Sequence, residues 1–109
     1  MEAKELRLGN YVYNGGIISL DIEMLYAFNE CLYDLQPIPI TEQWLLDLGF
    51  KAKKAYNRTF YYADSFNEWK VIYQDGLIKR NGKVIKHIHQ LQNLYFALTG
   101  QELKLKNNE

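Results

Sequence analysis

The residues with the greatest chemical reach in this 109-residue chain are His87 and His89, the single Cys31, and the amides Gln90, Gln92 and Asn93. Two histidines two positions apart share a face on a strand, but on a helix they diverge by about 200°. A metal centre needs three or four ligands, and neither a His-x₃-His pair nor a second cysteine is present. Cys31 or Asp64 would have to arrive from far along the chain, so no metal and no cofactor is expected. The histidines read instead as a strand-to-helix junction, where a neutral imidazole can bond free backbone groups. Nucleophilic catalysis would need Cys31, Ser19 or Ser65 beside a histidine, and no motif draws them together. Phosphate-loop and dinucleotide glycine spacings are missing, and the carboxylates are scattered. The expected set of catalytic residues is empty, and the chain reads as a non-enzymatic binding protein.

Binding chemistry has more to draw on. Residues 1–50 hold two basic and eight acidic side chains, whereas residues 51–109 hold eleven basic and five acidic. Within 51–89, nine basic residues interleave with Tyr56, Phe60, Tyr61, Tyr62, Phe66, Trp69 and Tyr73. Lysines among aromatics can grip single-stranded nucleic acid through phosphate contacts and base stacking. Strands favour aromatic residues for packing alone, however, and a pI near 6.7 is low for a dedicated nucleic-acid binder.

The elements that must position these groups follow from local pattern. With 48% hydrophobic and 24% charged residues, the composition suits one globular domain spanning 1–109. No apolar run is long enough for a membrane span and no signal peptide is apparent. A lone cysteine fits a reducing cytoplasm, with Cys31 as a small half-buried residue. Tyr11 and Tyr13 begin a strand, Asn14-Gly15-Gly16 turns it, and Ile17 to Leu20 returns. Asp21–Phe28 is ambiguous and is assigned to a further strand. Pro37 and Pro39 hold an extended tail. Thr41 caps a helix over about 41–48 that ends at Gly49, with Trp44, Leu45 and Leu48 apolar. Strands then follow in "FKAKKAY", "TFYYA", "WKVIYQ", "LIKR" and "KVIKHI". Asn81-Gly82 predicts a two-residue hairpin loop that pairs Arg80 with Lys83, Lys79 with Val84 and Ile78 with Ile85.

The closing helix, about 89–99, places Ile88, Leu91, Leu94, Tyr95 and Leu98 on one arc. That arc is expected to pack across the later strands. His89, Gln92, Asn93 and Phe96 then fall on the outer side, and residues 104–109 read as a frayed tail. The expected fold class is α+β: a mostly antiparallel twisted sheet or partly open small barrel with two helices. A division into 1–40 and 50–109, hinged at the Trp44 helix, is the alternative.

Three stretches, "ELRLGNYVY", "PIPITEQWLLDLGF" and "HIHQLQNLYFALTGQEL", together resemble small proteins carried by phages and prophages of Bacteroidota. They cover about a third of the chain and leave residues 51–84 outside the likeness. The resemblance implies an infected bacterial cytoplasm as the setting, and it transfers neither a catalytic residue nor a ligand. In that setting the expected partner is a host or phage protein, such as a nucleoprotein defence complex of the CRISPR kind, which this chain would inhibit by contact. The expected surface is Arg58, Lys79, Arg80, Lys83 and Lys86 with His89, Gln92, Asn93 and Phe96. The alternative is a single-stranded nucleic-acid or RNA-binding module using the basic 79–89 hairpin and the strand aromatics.

Overall fold

The computed structural model describes residues 1, 3–31, 34–63, 70–74, 76–80 and 83–106. Among the described residues it is an α+β structure of seven antiparallel strands and three α-helices, in two sheets that do not close on themselves. The chain divides into two compact units: Met1–Pro39 with His87–Glu102, and Ile40–Lys86 with Leu103–Glu109.

The first unit opens with a short 3-10 turn, Ala3–Glu5, before β1 (Tyr11–Tyr13) and β2 (Ile17–Ser19). These two strands pair in the register set by the Asn14-Gly15-Gly16 turn, with Val12 opposite Ile18. Gly15 takes a φ of +66°, a conformation that costs a residue without a Cβ little. The stretch assigned to a further strand is instead α1 (Ile22–Asn29). Its start is fixed by Asp21, whose Oδ1 accepts the Met24 N–H at 2.8 Å. Met24, Leu25 and Phe28 lie on one side of that helix and pack on a core of Leu6, Val12, Leu20 and Leu35. Cys31 follows at φ +61° and is exposed, not half-buried as expected. The proline tail is extended: Gln36 exchanges backbone bonds with Tyr13 at 2.8 and 2.9 Å, and Pro39 bridges His87.

The last helix of the unit is α3 (Ile88–Thr99), closed by Gly100 at φ +73°. Within this unit it packs on β1, the first strand of the chain, whereas its apolar arc is expected from the sequence to meet the later strands. This also redraws the expected division at residue 40, because the closing helix belongs with the N-terminal strands.

The second unit begins with α2 (Glu42–Asp47), where the Thr41 hydroxyl accepts the Trp44 N–H at 3.2 Å. Gly49 ends the turn at φ +95° and leads into β3 (Phe50–Ala55), against which α2 packs. A meander follows: β4 (Arg58–Ala63), β5 (Lys70–Gln74), β6 (Leu77–Arg80) and β7 (Lys83–Ile85), with neighbours paired in chain order. Ile78↔Ile85, Lys79↔Val84 and Arg80↔Lys83 pair as the sequence predicts, while the Asn81-Gly82 loop itself lies outside the described residues. Strand alternation puts Phe50, Tyr61, Ile78 and Ile85 on one face, where all four are buried along with Leu45 and Leu48. Of the expected frayed tail, Leu105 is half-buried, and the Lys106 stem lies where a Cβ on Gly49 would point. Residues 107–109 lie outside the described residues.

Candidate functional site

The histidine-and-amide motif of α3 is an internal joint of the first unit. Burial on α3 is rotated by roughly 70° from the apolar arc, taking ~100° per residue. His89 and Gln92 are 1% and 0% exposed, whereas Leu98 is 52% exposed. The cause is the irregular segment before β1, whose backbone polar groups need partners that no strand supplies. Gln92 answers twice: its Oε1 accepts the Tyr11 N–H at 2.8 Å, and its Nε2 donates to the Gly9 carbonyl at 3.1 Å. Asn93 donates to the Glu5 carbonyl at 2.8 Å, while its Oδ1 accepts from Arg7 Nε and Asn10 Nδ2, both at 2.9 Å. Asn10 is itself buried and accepts the Arg7 N–H at 2.7 Å. "LRLGNY" and "HQLQN" are therefore two halves of one hydrogen-bonded lock.

Arg7 closes the outer end of this lock. Its Nη1 pairs with Glu102 at 2.9 Å, and the guanidinium lies 4.3 Å from the Phe96 ring centroid. Phe96 is thus partly covered by the chain itself and stays 39% exposed. At the other end, His87 is the N-cap residue of α3 and its N–H donates to Gln90 Oε1 at 3.1 Å. The rings of His87 and His89 stack with centroids 5.8 Å apart. Burial lowers the His89 pKa from the usual imidazole value, against the opposing pull of Glu5 at 3.4 Å. The buried His89 is thereby held neutral near pH 7, and its Nδ1 finds no hydrogen-bond partner among the described residues. Among the described residues, no group of three or more His, Cys, Asp or Glu is placed to hold a metal ion.

Of the expected partner-binding residues, then, His89 and Gln92 are interior and Asn93 is committed to the lock. Phe96 remains as surface. Lys79 and Lys86 are exposed in the second unit. The side chains of Arg58, Arg80 and Lys83 lie outside the described residues.

The second unit offers a different surface. Opposite its buried side, the five-stranded sheet presents a face that alternation assigns to Lys51, Lys53, Phe60, Tyr62, Leu77, Lys79 and Val84. Cross-strand register orders them: Lys53 opposes Phe60, Lys51 opposes Tyr62, and Lys79 opposes Val84. Lys51, Lys53 and Lys79 are exposed, while Phe60 and Tyr62 are half-buried between the strands. The unit as a whole carries eleven basic against six acidic residues, and the first unit two basic against seven acidic. The charge asymmetry read from the sequence halves therefore survives as a difference between folded units. A near-neutral pI conceals it.

The β3–β4 hairpin ends in a loop that sequence reasoning passed over. Ala55 pairs with Arg58, leaving Tyr56 and Asn57 as a two-residue loop at φ +53° and +60°. These are the dihedrals of the hairpin turns usually filled by Asn-Gly. Tyrosine carries no such signal, and Tyr56 is 93% exposed.

Comparison of the chain with protein-family models, with curated proteins and with solved structures finds no match. Among the described residues, no helix is long and apolar enough to cross a membrane.

Proposed function

We propose that this is a non-enzymatic binding protein that takes a single-stranded nucleic acid on the outer face of its five-stranded sheet. The observation that carries the reading is the cross-strand order on that face: exposed lysines directly opposite half-buried aromatic rings. Lysines spaced along strands suit phosphates spaced along an extended backbone, and rings lying between them suit bases. The basic excess of the unit adds long-range attraction for a polyanion. In the setting implied by the resemblance to phage and prophage proteins, the site of action would be a bacterial cytoplasm and the ligand a host or phage transcript or displaced strand.

The test is fluorescence anisotropy with labelled oligo-dT and oligo-rU across a salt series. Three to five phosphate contacts would give a log–log slope of about −2 to −3.5, from roughly −0.7 per contact for single strands. Lys53→Glu with Lys79→Glu should flatten the slope, and Phe60→Leu should weaken binding roughly ten-fold with the slope unchanged. Absence of binding at low salt would discard this reading.

A second reading, contact with a host or phage protein such as a defence complex, is favoured by the acidic unit. There Ile22 and Tyr26 stand 69% and 64% exposed one turn apart on α1. They line an open cleft of about 410 Å³ with Lys4, Leu25 and Asn29. Pull-down from a bacterial lysate, split and treated with nuclease, separates the two: a defined protein kept in both halves favours the second.

A further inference from the structure

The Tyr56 turn is a local departure from what its geometry asks for. A two-residue loop with both φ positive suits Asn, Asp and Gly, because a side chain with Cβ crowds the backbone there. Asn57 meets that requirement and Tyr56 does not. Strain in a fold is ordinarily offset by packing, yet Tyr56 is 93% exposed and obtains none. Its ring is presented to solvent at the tip of the β3–β4 hairpin. The β3–β4 ladder continues through Lys54↔Thr59 and Ala55↔Arg58, whereas the β4–β5 ladder stops at Phe60↔Ile72. The β3–β4 hairpin carries exposed Lys53 and Lys54 just before the tyrosine. Neither lysine has an ion-pair partner among the described residues.

We propose that Tyr56 is a base-stacking residue, and that the β3–β4 hairpin is the finger by which the protein engages an unpaired base of a single strand. This rests on the nucleic-acid reading of the sheet face and adds a specific contact to it. An extended strand running along the sheet face would reach the hairpin end, where Lys53 on that face meets a phosphate and the ring meets a base. Stacking on an exposed ring needs a base free of its complement, so the contact selects single strands over duplex. It is tolerant of base identity, because every base offers a π-face.

The experiment compares wild type with Tyr56→Gly, Tyr56→Asn, Tyr56→Leu and Tyr56→Phe, by anisotropy on labelled oligo-rU and by thermal melting. Gly and Asn suit the turn, so both variants should melt at or above the wild-type temperature while binding roughly ten-fold more weakly, with the salt slope unchanged. Leucine should lose the same affinity despite its bulk, and phenylalanine should retain it. Full affinity in the Gly and Asn variants, with wild type binding the oligonucleotide, overturns the stacking role and leaves the sheet-face reading standing. Failure of wild type to bind any oligonucleotide overturns both. Equal loss with Phe and with Gly overturns stacking and assigns the effect to the hydroxyl.

Discussion

Gln92 on the closing helix and Tyr11 on the first strand are joined by a hydrogen bond of 2.8 Å between residues 81 positions apart in the chain. The same amide reaches the Gly9 carbonyl, so one buried side chain satisfies a donor and an acceptor that the two-stranded sheet leaves over. The large majority of buried polar side chains are matched in this way.

Replacing Gln92 by Leu keeps most of the volume and removes both bonds. The Tyr11 N–H and the Gly9 carbonyl are left without their amide, each at about 1–3 kcal/mol. The expected loss is about 2–4 kcal/mol, read as a lower urea midpoint with an unchanged slope. A loss under half a kcal/mol would mean that water replaces the amide and the lock contributes little.

His89 makes stability depend on pH. Its folded pKa lies below the unfolded value of 6.5, chiefly because burial disfavours the imidazolium. Below 6.5 the unfolded chain therefore binds more protons than the folded one, and stability falls as pH falls through that window. The groups acting on the ring are Glu5, which opposes the shift, and His87 and the Met1 amino group, which add to it. Melting temperature should be level from pH 8 to 7 and decline from about 6.5 downward. His89→Phe should remove that part of the decline which begins above the carboxylate range.

Tyr61 supplies an alkaline counterpart. Burial, and then the hydrogen bond to Glu42, push its phenol from 10.0 up to about 12. Since the folded state resists ionisation, stability is lost as pH rises past 10. In a spectrophotometric titration, the difference between wild type and Tyr61→Phe should appear only near pH 12. The Phe variant should lose about 1 kcal/mol near neutrality, the net value of one hydrogen bond.

The meander and α2 were legible because their signals are local. Two-residue periodicity marks the strands, and Thr41 and Gly49 bracket the helix with cap and stop. The register at Ile78↔Ile85 follows from loop length alone. What stayed hidden depends on distant partners or unusual residues. Ile, Tyr and Phe in "IEMLYAF" suit a strand as well as a helix, so the pattern there does not announce α1. The rotation of α3 was not readable. Polar residues count as outward in any periodicity argument, and only the acceptors at Glu5 and Gly9 show why Gln92 and Asn93 turn inward. Tyr56 escaped because its turn lacks the glycine that would announce it.

Gly49 and Lys106 provide the last test, within the second unit. Gly49 sits at φ +95°, and a Cβ there would collide with the Lys106 side chain. Gly49→Ala therefore combines two costs: backbone strain, about 1 kcal/mol or more, and displacement of the lysine stem. Gly100 separates them, since it has φ +73° with nothing within 4 Å of its Cβ position. Gly100→Ala should show the strain alone. In a Lys106→Ala background the cost of Gly49→Ala should drop towards that of Gly100→Ala, giving a coupling that double-mutant analysis resolves. Urea titration of the four proteins in the Gly49–Lys106 cycle, with Gly100→Ala as reference, is the measurement. Zero coupling would mean that the lysine stem leaves Gly49 freely, and that residues around 106 are not seated on the turn after α2.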